Sequence, residues 1–122
     1  MYETTATKGN MLVRCTGDPM DVLWHDRPVI PNNKVCLHPL KYAGETTESK
    51  LSRIRESLVK QGADGLLVTA LDEIAWVLNL RGSDVHCNPV FVSYLLISSN
   101  NATLYINREK LAEDVCEYLS TE

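Results

Sequence analysis

The chain has 122 residues, of which 44% are hydrophobic and 23% charged, and its formal net charge is −4. This size and composition are typical of one soluble globular domain, and scattered positive charges on an acidic chain argue against a nucleic-acid or anionic-membrane partner. No apolar run approaches the roughly 20 residues of a membrane span, and the N-terminal MYETTATKGN lacks the apolar core of a signal peptide. We therefore expect a cytoplasmic protein.

The first 40 residues are expected to contain little regular structure. A short strand is predicted from Met11 to Cys15, and one helical turn from Asp21 to Trp24. Pro28, Pro31 and Pro39 then favour an extended linker.

A helix is predicted from Thr46 or Thr47, either of which can cap it, to about Gln61, and Gly62 ends it. Its apolar stripe consists of Leu51, Ile54 and Leu58, and its other face is expected to be solvated: Lys50, Arg53, Glu56 and Lys60. The run Leu66 to Ala70 predicts a strand buried on both faces, as in a sheet covered by helices. Helix, strand and helix in this order are the beginning of an α/β layer architecture.

Residues 69–91 combine a short helix, a polar loop and the beginning of a strand. The helix is predicted from Leu71 to Leu78, with Thr69 and Asp72 as a capping pair. Asn79 and Gly82 are expected to end it, and the glycine can adopt a positive φ. A polar loop held between two buried elements is a common arrangement for a binding surface, and its candidate residues are Arg81, Ser83, Asp84 and Asn88.

A β-hairpin and a final helix are predicted in the last third of the chain. The strands are residues 90–98 and 102–107, joined by the short polar turn at residues 99–101. Asn107 is expected to cap the last helix, whose shared face would carry Leu111, Val115, Tyr118 and Leu119.

Several segments together resemble the middle, non-catalytic domain of aminopeptidase P, the X-prolyl aminopeptidase of the creatinase/prolidase group. They are LDEIAWVLNLRGSDVHCNPVF (71–91), DVLWHDRP (21–28), LKYAGETTESKLSRIRESL (40–58) and ATLYINREKL (102–111). These matches occur in order across roughly residues 20–119, which makes the resemblance far more specific than one short motif. It implies an α/β fold with a mixed sheet flanked by helices, similar to a creatinase/prolidase N-terminal domain and truncated at its C-terminal end.

The resemblance also implies a domain division and a role for the chain. Residues 1–40 would be a linker and the remnant of a preceding domain, and residues 41–122 an incomplete α/β domain. The parent would be a hydrolase, a metallopeptidase that releases an N-terminal residue preceding proline. Its two divalent metals, manganese by resemblance, would be held by two Asp, one His and two Glu of a C-terminal catalytic domain. None of those motifs occurs here, so we expect no metal or catalytic residue in this chain. Its expected partners are that catalytic domain, through it the peptide substrate, and a second subunit in a homo-oligomer such as a dimer.

Two interpretations of the polar loop stay open. Arg81, Ser83, Asp84 and Asn88 would face the catalytic cleft or a neighbouring domain of the parent. Alternatively, Arg81 and Asp84 would pair with each other and maintain only the shape of the loop, as charges three residues apart beside a glycine often do.

Two other functions are open as well. The chain could be a stand-alone α/β interaction module without enzymatic activity, or a small enzyme that uses His86 and Cys87. Adjacent side chains of an extended segment point to opposite faces, which disfavours a shared ligand. The wide spacing of Cys15, Cys36, Cys87 and Cys116 without a C-x-x-C pair favours free thiols.

Overall fold

The computed structural model describes residues 6–7, 10–11 and 20–121. The chain divides into two compact units, residues 1–30 and residues 31–122. In the first unit, strands β1 (Ala6–Thr7) and β2 (Asn10–Met11) pair antiparallel, and helix α1 (Met20–Leu23) is the predicted single turn. Residues 12–15 of the first predicted strand lie outside the described part. The division predicted after residue 40, between parental domains, stays a prediction.

The second unit begins with a short antiparallel pair that the sequence did not predict. Strand β3 (Cys36–Leu37) pairs with β5 (Leu80–Arg81), and helix α2 (Leu40–Ala43) follows, ending at Gly44 with a φ of 77°. The prediction of an irregular linker up to residue 39 was therefore wrong at β3. The pairing partner lies more than 40 residues along the chain, beyond the reach of a local pattern.

Helix α3 (Thr47–Gln61) confirms the predicted bounds and caps. The Thr46 side chain accepts a hydrogen bond from the Ser49 N–H, and Gly62 ends the helix with a φ of 66°. The prediction was wrong for Lys50, which is only 1% exposed rather than solvated. Lys50 precedes Ile54 by four residues and therefore lies on the apolar face of the helix.

The main sheet has the order β4-β6-β7, formed by β4 (Gly65–Val68), β6 (Tyr94–Ser98) and β7 (Ala102–Tyr105). Both pairings are antiparallel, which confirms the predicted hairpin between β6 and β7. Of β4, only Val68 is buried. The prediction of a strand buried on both faces was wrong, because β4 lies at an edge of the described sheet and one of its faces is uncovered.

The core lies between the inner face of this sheet and the helices. The helices are α3, α4 (Leu71–Val77) and α5 (Glu113–Thr121), which confirms the α/β class. The hydrophobic side chains that are at most 5% exposed are Val35, Leu51, Val68, Ile74, Ala75, Val77, Leu78, Leu80, Val90, Phe91, Leu95, Ile97 and Val115. No helix in the described part of the chain is long and apolar enough to cross a membrane.

Two predicted caps were wrong. The residue that caps α4 is Ala70, which makes no side-chain cap hydrogen bond, so Thr69 and Asp72 are not a capping pair. The Asn107 side chain accepts from the Glu109 N–H and caps a 3-10 turn, Arg108–Lys110, instead of α5.

Both hairpin strands are shorter than predicted. Residues 90–93 lie outside β6 although Val90 and Phe91 are buried. The carbonyls of residues 89 and 90 instead accept hydrogen bonds from the N–H groups of Gly82 and Asp84. Residues 106 and 107 likewise lie outside β7.

Candidate functional site

The polar loop, residues 81–90, is a narrow double strand closed by a tight turn. The Gly82 N–H donates to the Pro89 carbonyl at 3.2 Å, and the Asp84 N–H donates to the Val90 carbonyl at 3.1 Å. At the tip, Val85 and Asn88 form a bridge. These hydrogen bonds hold residues 82–84 against residues 89–90, which together form the base of the loop. The tip, residues 85–88, therefore lies on an ordered base.

Gly82 is required at the base for space rather than for its φ. A Cβ at this position would lie 2.7 Å from the Phe91 Cβ and 2.9 Å from the Val90 carbonyl oxygen. The predicted positive φ occurs instead at Asn79, with a φ of 50°. Asn79 therefore reverses the chain after α4, and Gly82 allows the two sides of the base to approach.

Asp84 points into the protein and anchors the loop. Its side chain is fully buried, forms an ion pair with the buried Lys110, and accepts a hydrogen bond from the Val92 N–H at 2.7 Å. Burial by itself raises the pKa of Asp84, but the hydrogen bonds from Lys110 and Val92 and the charge of Lys110 outweigh burial and hold the pKa below its ordinary value. The alternative interpretation, in which Arg81 and Asp84 pair with each other, was therefore wrong.

Arg81 braces the connection between α4 and β5. Its Nη1 donates to the carbonyls of Ala75 at 2.9 Å and Leu80 at 2.8 Å, and its side chain is half-buried. One guanidinium nitrogen thus donates hydrogen bonds to two backbone carbonyls, one near the end of the helix and one in the strand that follows.

Ser83 and Asn88 are exposed, as are His86 and Cys87 at the tip. The Ser83 carbonyl accepts a hydrogen bond from the Asn33 Nδ2 at 2.9 Å. Cys87 adopts a φ of 58°, in the left-handed region that side chains seldom occupy. The four candidates therefore separate into two roles: Asp84 and Arg81 build the loop, whereas Ser83 and Asn88 belong to its outer surface.

The thiols of Cys36, Cys87 and Cys116 are free, and Cys15 lies outside the described residues. Across residues 20–121, no group of three or more His, Cys, Asp and Glu side chains could hold a metal ion. His86 and Cys87 thus have no third ligand in the part of the chain that the structure describes.

Lys110 was not predicted from the sequence as part of the site. The segment before β3 connects it to the loop: the Val35 N–H donates to the Lys110 carbonyl at 2.9 Å, and Lys34 Nζ donates to the Glu109 carbonyl at 2.6 Å. Asn33 then reaches the loop at Ser83. Two distant segments, residues 33–35 and residues 109–110, therefore hold the loop, and no spacing within one segment indicates this.

Lys50 is the second buried cation that the sequence did not predict. Its Nζ donates to the Trp76 carbonyl and to the Asn79 Oδ1, each at 2.7 Å, and lies 4.5 Å from the centre of the Trp76 ring. Asn79 in turn donates to the Glu45 carbonyl at 2.9 Å. Burial lowers the pKa of Lys50, as do the charges of Arg81 and Arg53, against the opposing charge of Glu45. The position of Lys50 on the apolar face of α3 was the feature of the sequence that could have predicted its burial.

Comparison with known proteins places this fold in a family. The sequence model of the Creatinase/Prolidase N-terminal domain matches residues 26–122. The chain belongs to this family. Proteins named Probable Xaa-Pro aminopeptidase P are 42% identical over 120 residues in Paracoccidioides brasiliensis (strain Pb03) and 45% identical over 112 residues in Pyricularia oryzae. These alignments cover 98% and 91% of the chain.

A solved structure gives the same result as the sequence matches for this member of the creatinase/prolidase family. The X-prolyl aminopeptidase of Caenorhabditis elegans, described as a cytosolic enzyme with a di-nuclear active site, matches 89% of the chain at a TM-score of 0.82 and 33% identity. The matched part is 18% of that enzyme, and 20% and 18% of the two fungal relatives. The chain thus spans about a fifth of the length of the proteins that it resembles.

Proposed function

We propose that the chain acts as a non-catalytic domain of a longer aminopeptidase P-like metallopeptidase, and that its polar loop faces the catalytic cleft or a neighbouring domain. The observation that carries this proposal is the construction of the loop. A buried ion pair, Asp84 with Lys110, fixes its base, while Ser83 and Asn88 remain exposed. Exposed polar side chains on a rigid base can contact another domain or a peptide at low entropic cost.

The proposed parent hydrolyses the bond between an N-terminal residue and proline. The names of the fungal relatives and of the nematode enzyme support this activity, and the cytosolic description of the latter supports a cytoplasmic location. We assign the two divalent metals, with manganese as the proposed ion, to the catalytic domain of the parent. No step of the reaction is assigned to residues of this chain, whose part is to shape the cleft and pack against other domains or a second subunit.

A chimera tests the proposal. Residues 26–122 would replace the matching segment of the Pyricularia oryzae relative, and hydrolysis of an X-Pro peptide would be measured. We expect the chimera to be active and Ser83→Ala with Asn88→Ala to lower kcat/KM by about 10-fold or more, equivalent to about 1.4 kcal/mol. The thermal unfolding midpoint should barely change, because both side chains are exposed.

The turn between β6 and β7 offers a matched control. Ser99 and Asn100 are exposed and of the same residue types, so Ser99→Ala with Asn100→Ala should leave kcat/KM unchanged. Equal kinetics for the two double variants would remove the loop from the cleft. An inactive but folded chimera would instead favour a domain with another role, such as a stand-alone interaction module.

A further inference from the structure

The segment that precedes β3, residues 32–35, contacts both the polar loop and the 3-10 turn. We call this segment the strap, and we call residues 107–110, the 3-10 turn with its cap, the turn. Asn32 Nδ2 donates to Glu109 Oε2 at 2.7 Å, and Asn32 Oδ1 accepts from Asn107 Nδ2 at 3.0 Å. The last two residues of the strap donate to backbone carbonyls of the same turn. Both ends of the strap are thus bonded to the turn.

Asn33 connects the strap to the loop. Its Nδ2 donates to the Ser83 carbonyl at 2.9 Å. Burial raises the pKa of Asp84, whereas Lys110, the Val92 N–H and then the Asn33 N–H lower it. The backbone of Asn33 therefore faces the Asp84 carboxylate, while its side chain holds the residue before it.

We propose that the strap controls the order of the polar loop, and that strap, turn and loop open together as one cooperative unit while the sheet and α3 stay folded. The proposal goes beyond the assignment of the chain as a domain, and the opening depends only on contacts within this chain. Cooperative opening of a part of a folded domain is common where the part is held by few buried apolar contacts.

The contacts of the strap favour opening at a lower free energy than that of global unfolding. Residues 31–34 are exposed, and hydrogen bonds at exposed positions are replaced by water at little net cost. Asp84 Oδ1 is buried and accepts no hydrogen bond of normal geometry from the residues that the structure describes. Because Asn33 faces this carboxylate, opening of the strap would let water reach Oδ1. The hydration of that oxygen would offset part of the loss of the other bonds.

The strap also has a place in the chain from which the loop can be influenced. It follows Pro31, which is the first residue of the second compact unit. The strap is therefore the covalent connection through which the preceding residues can act on the loop. An ordered loop tip binds another group at lower entropic cost than a mobile one. This consequence rests on the proposed function of the loop, whereas the opening itself does not.

Amide hydrogen exchange of the 122-residue chain, followed by NMR, measures the opening. The reporters in the loop are the N–H groups of Gly82, Asp84 and Asn88, which donate to backbone carbonyls of the loop. Asn33→Ala should speed their exchange about 5-fold or more, because it removes the hydrogen bond to Ser83. The amides of α3 and β6 should exchange as in the wild type.

Asn32→Ala tests whether the strap opens as one unit with the loop. In the described structure, both side-chain hydrogen bonds of Asn32 join it to the turn and neither joins it to the loop. Asn32→Ala should nevertheless speed exchange of the same loop reporters. Asn100→Ala is the matched control, because Asn100 is an exposed asparagine in the turn between β6 and β7. It should leave the loop reporters unchanged.

Four results would overturn the proposal. The first is exchange of the loop reporters at the wild-type rate in Asn33→Ala. The second is an Asn32→Ala variant in which only the turn exchanges faster, because strap and loop would then open separately. The third is equal acceleration in α3 and β6, which would show a loss of global stability, and the fourth is equal acceleration of the loop by Asn100→Ala. None of these results depends on peptidase activity, so they are distinct from a failure of the chimera.

Discussion

The two buried lysines in the described part of this chain are each only 1% exposed, but their electrostatic surroundings differ. Lys110 pairs with the buried carboxylate of Asp84, so the two charges compensate each other. Lys50 donates instead to neutral acceptors, the Trp76 carbonyl and Asn79 Oδ1, beside the face of the Trp76 ring. Exposure alone therefore does not determine how a buried charge contributes to stability, because the partner decides it.

The difference extends to what each lysine connects. Lys110 joins the 3-10 turn to the polar loop and thereby serves the candidate site. Lys50 joins α3 to the end of α4 and stabilises the reversal at Asn79, which precedes the loop. One lysine thus fixes the loop directly, and the other fixes the turn from which the loop begins.

Asp84→Ala should have the largest effect on stability. Removing the carboxylate leaves Lys110 charged, buried and unpaired, which costs about 3–5 kcal/mol of the free energy of unfolding. Urea denaturation followed by circular dichroism measures this cost, with the exposed Asp64→Ala as control. If Lys110→Met is added, part of the loss should be recovered. A double variant that is less stable by the sum of both single effects would show that the two charges do not depend on each other.

Lys50→Met should have a smaller effect. It removes a costly buried charge but leaves the Trp76 carbonyl and Asn79 Oδ1 without their donor, a net loss of about 1–3 kcal/mol. The same urea titration applies, and Lys60→Met, exposed on the same helix, is the control. Equal losses for Lys50→Met and Asp84→Ala would contradict the idea that the partner of a buried charge determines its contribution to stability.

The two sites should also change stability at opposite ends of the pH range. The lowered pKa of Asp84 adds stability that is present above the unfolded pKa, near 3.8, and is lost as the pH falls through the folded pKa. The lowered pKa of Lys50 means that the unfolded chain binds more protons below its ordinary value of 10.5, so stability rises with pH towards that value.

Thermal unfolding as a function of pH separates the two contributions. Asp84→Asn should flatten the acid limb of the stability curve and leave the alkaline limb unchanged. Lys50→Met should do the reverse. An acid limb that keeps its full slope in Asp84→Asn would assign acid sensitivity to other carboxylates.

Arg53→Ala should have the smallest effect of the substitutions compared. Arg53 forms an ion pair with Glu45 at 2.7 Å, but the Arg53 side chain is 60% exposed. The hydrogen bonds from Arg53 and Ser49 lower the pKa of Glu45, as does the charge of Arg53, yet solvent and salt screen such a pair. We expect the urea midpoint to stay close to that of the wild type. A clear decrease that persists at high salt would show that Arg53 supports the Lys50 site by packing on Trp76, which lies 5.8 Å from its guanidinium carbon.

Local patterns predicted much of this protein correctly. Helix α3 and its two caps, helix α4 to within one residue, and the β6-β7 hairpin follow from spacing, capping chemistry and turn residues. Each of these features depends on residues only a few positions apart, so one segment contains the whole signal. The order of the matching segments was likewise sufficient to predict the family.

Contacts between distant segments decided the rest. The pairing of β3 with β5, the burial of Lys50 and Lys110, and the exposure of β4 each depend on which segments meet in three dimensions. For Asp84, the sequence presented a carboxylate three residues from Arg81, whereas its partner is Lys110, 26 residues further along the chain. A buried charge pairs with the opposite charge that the fold brings within reach, so its partner is a property of the tertiary structure.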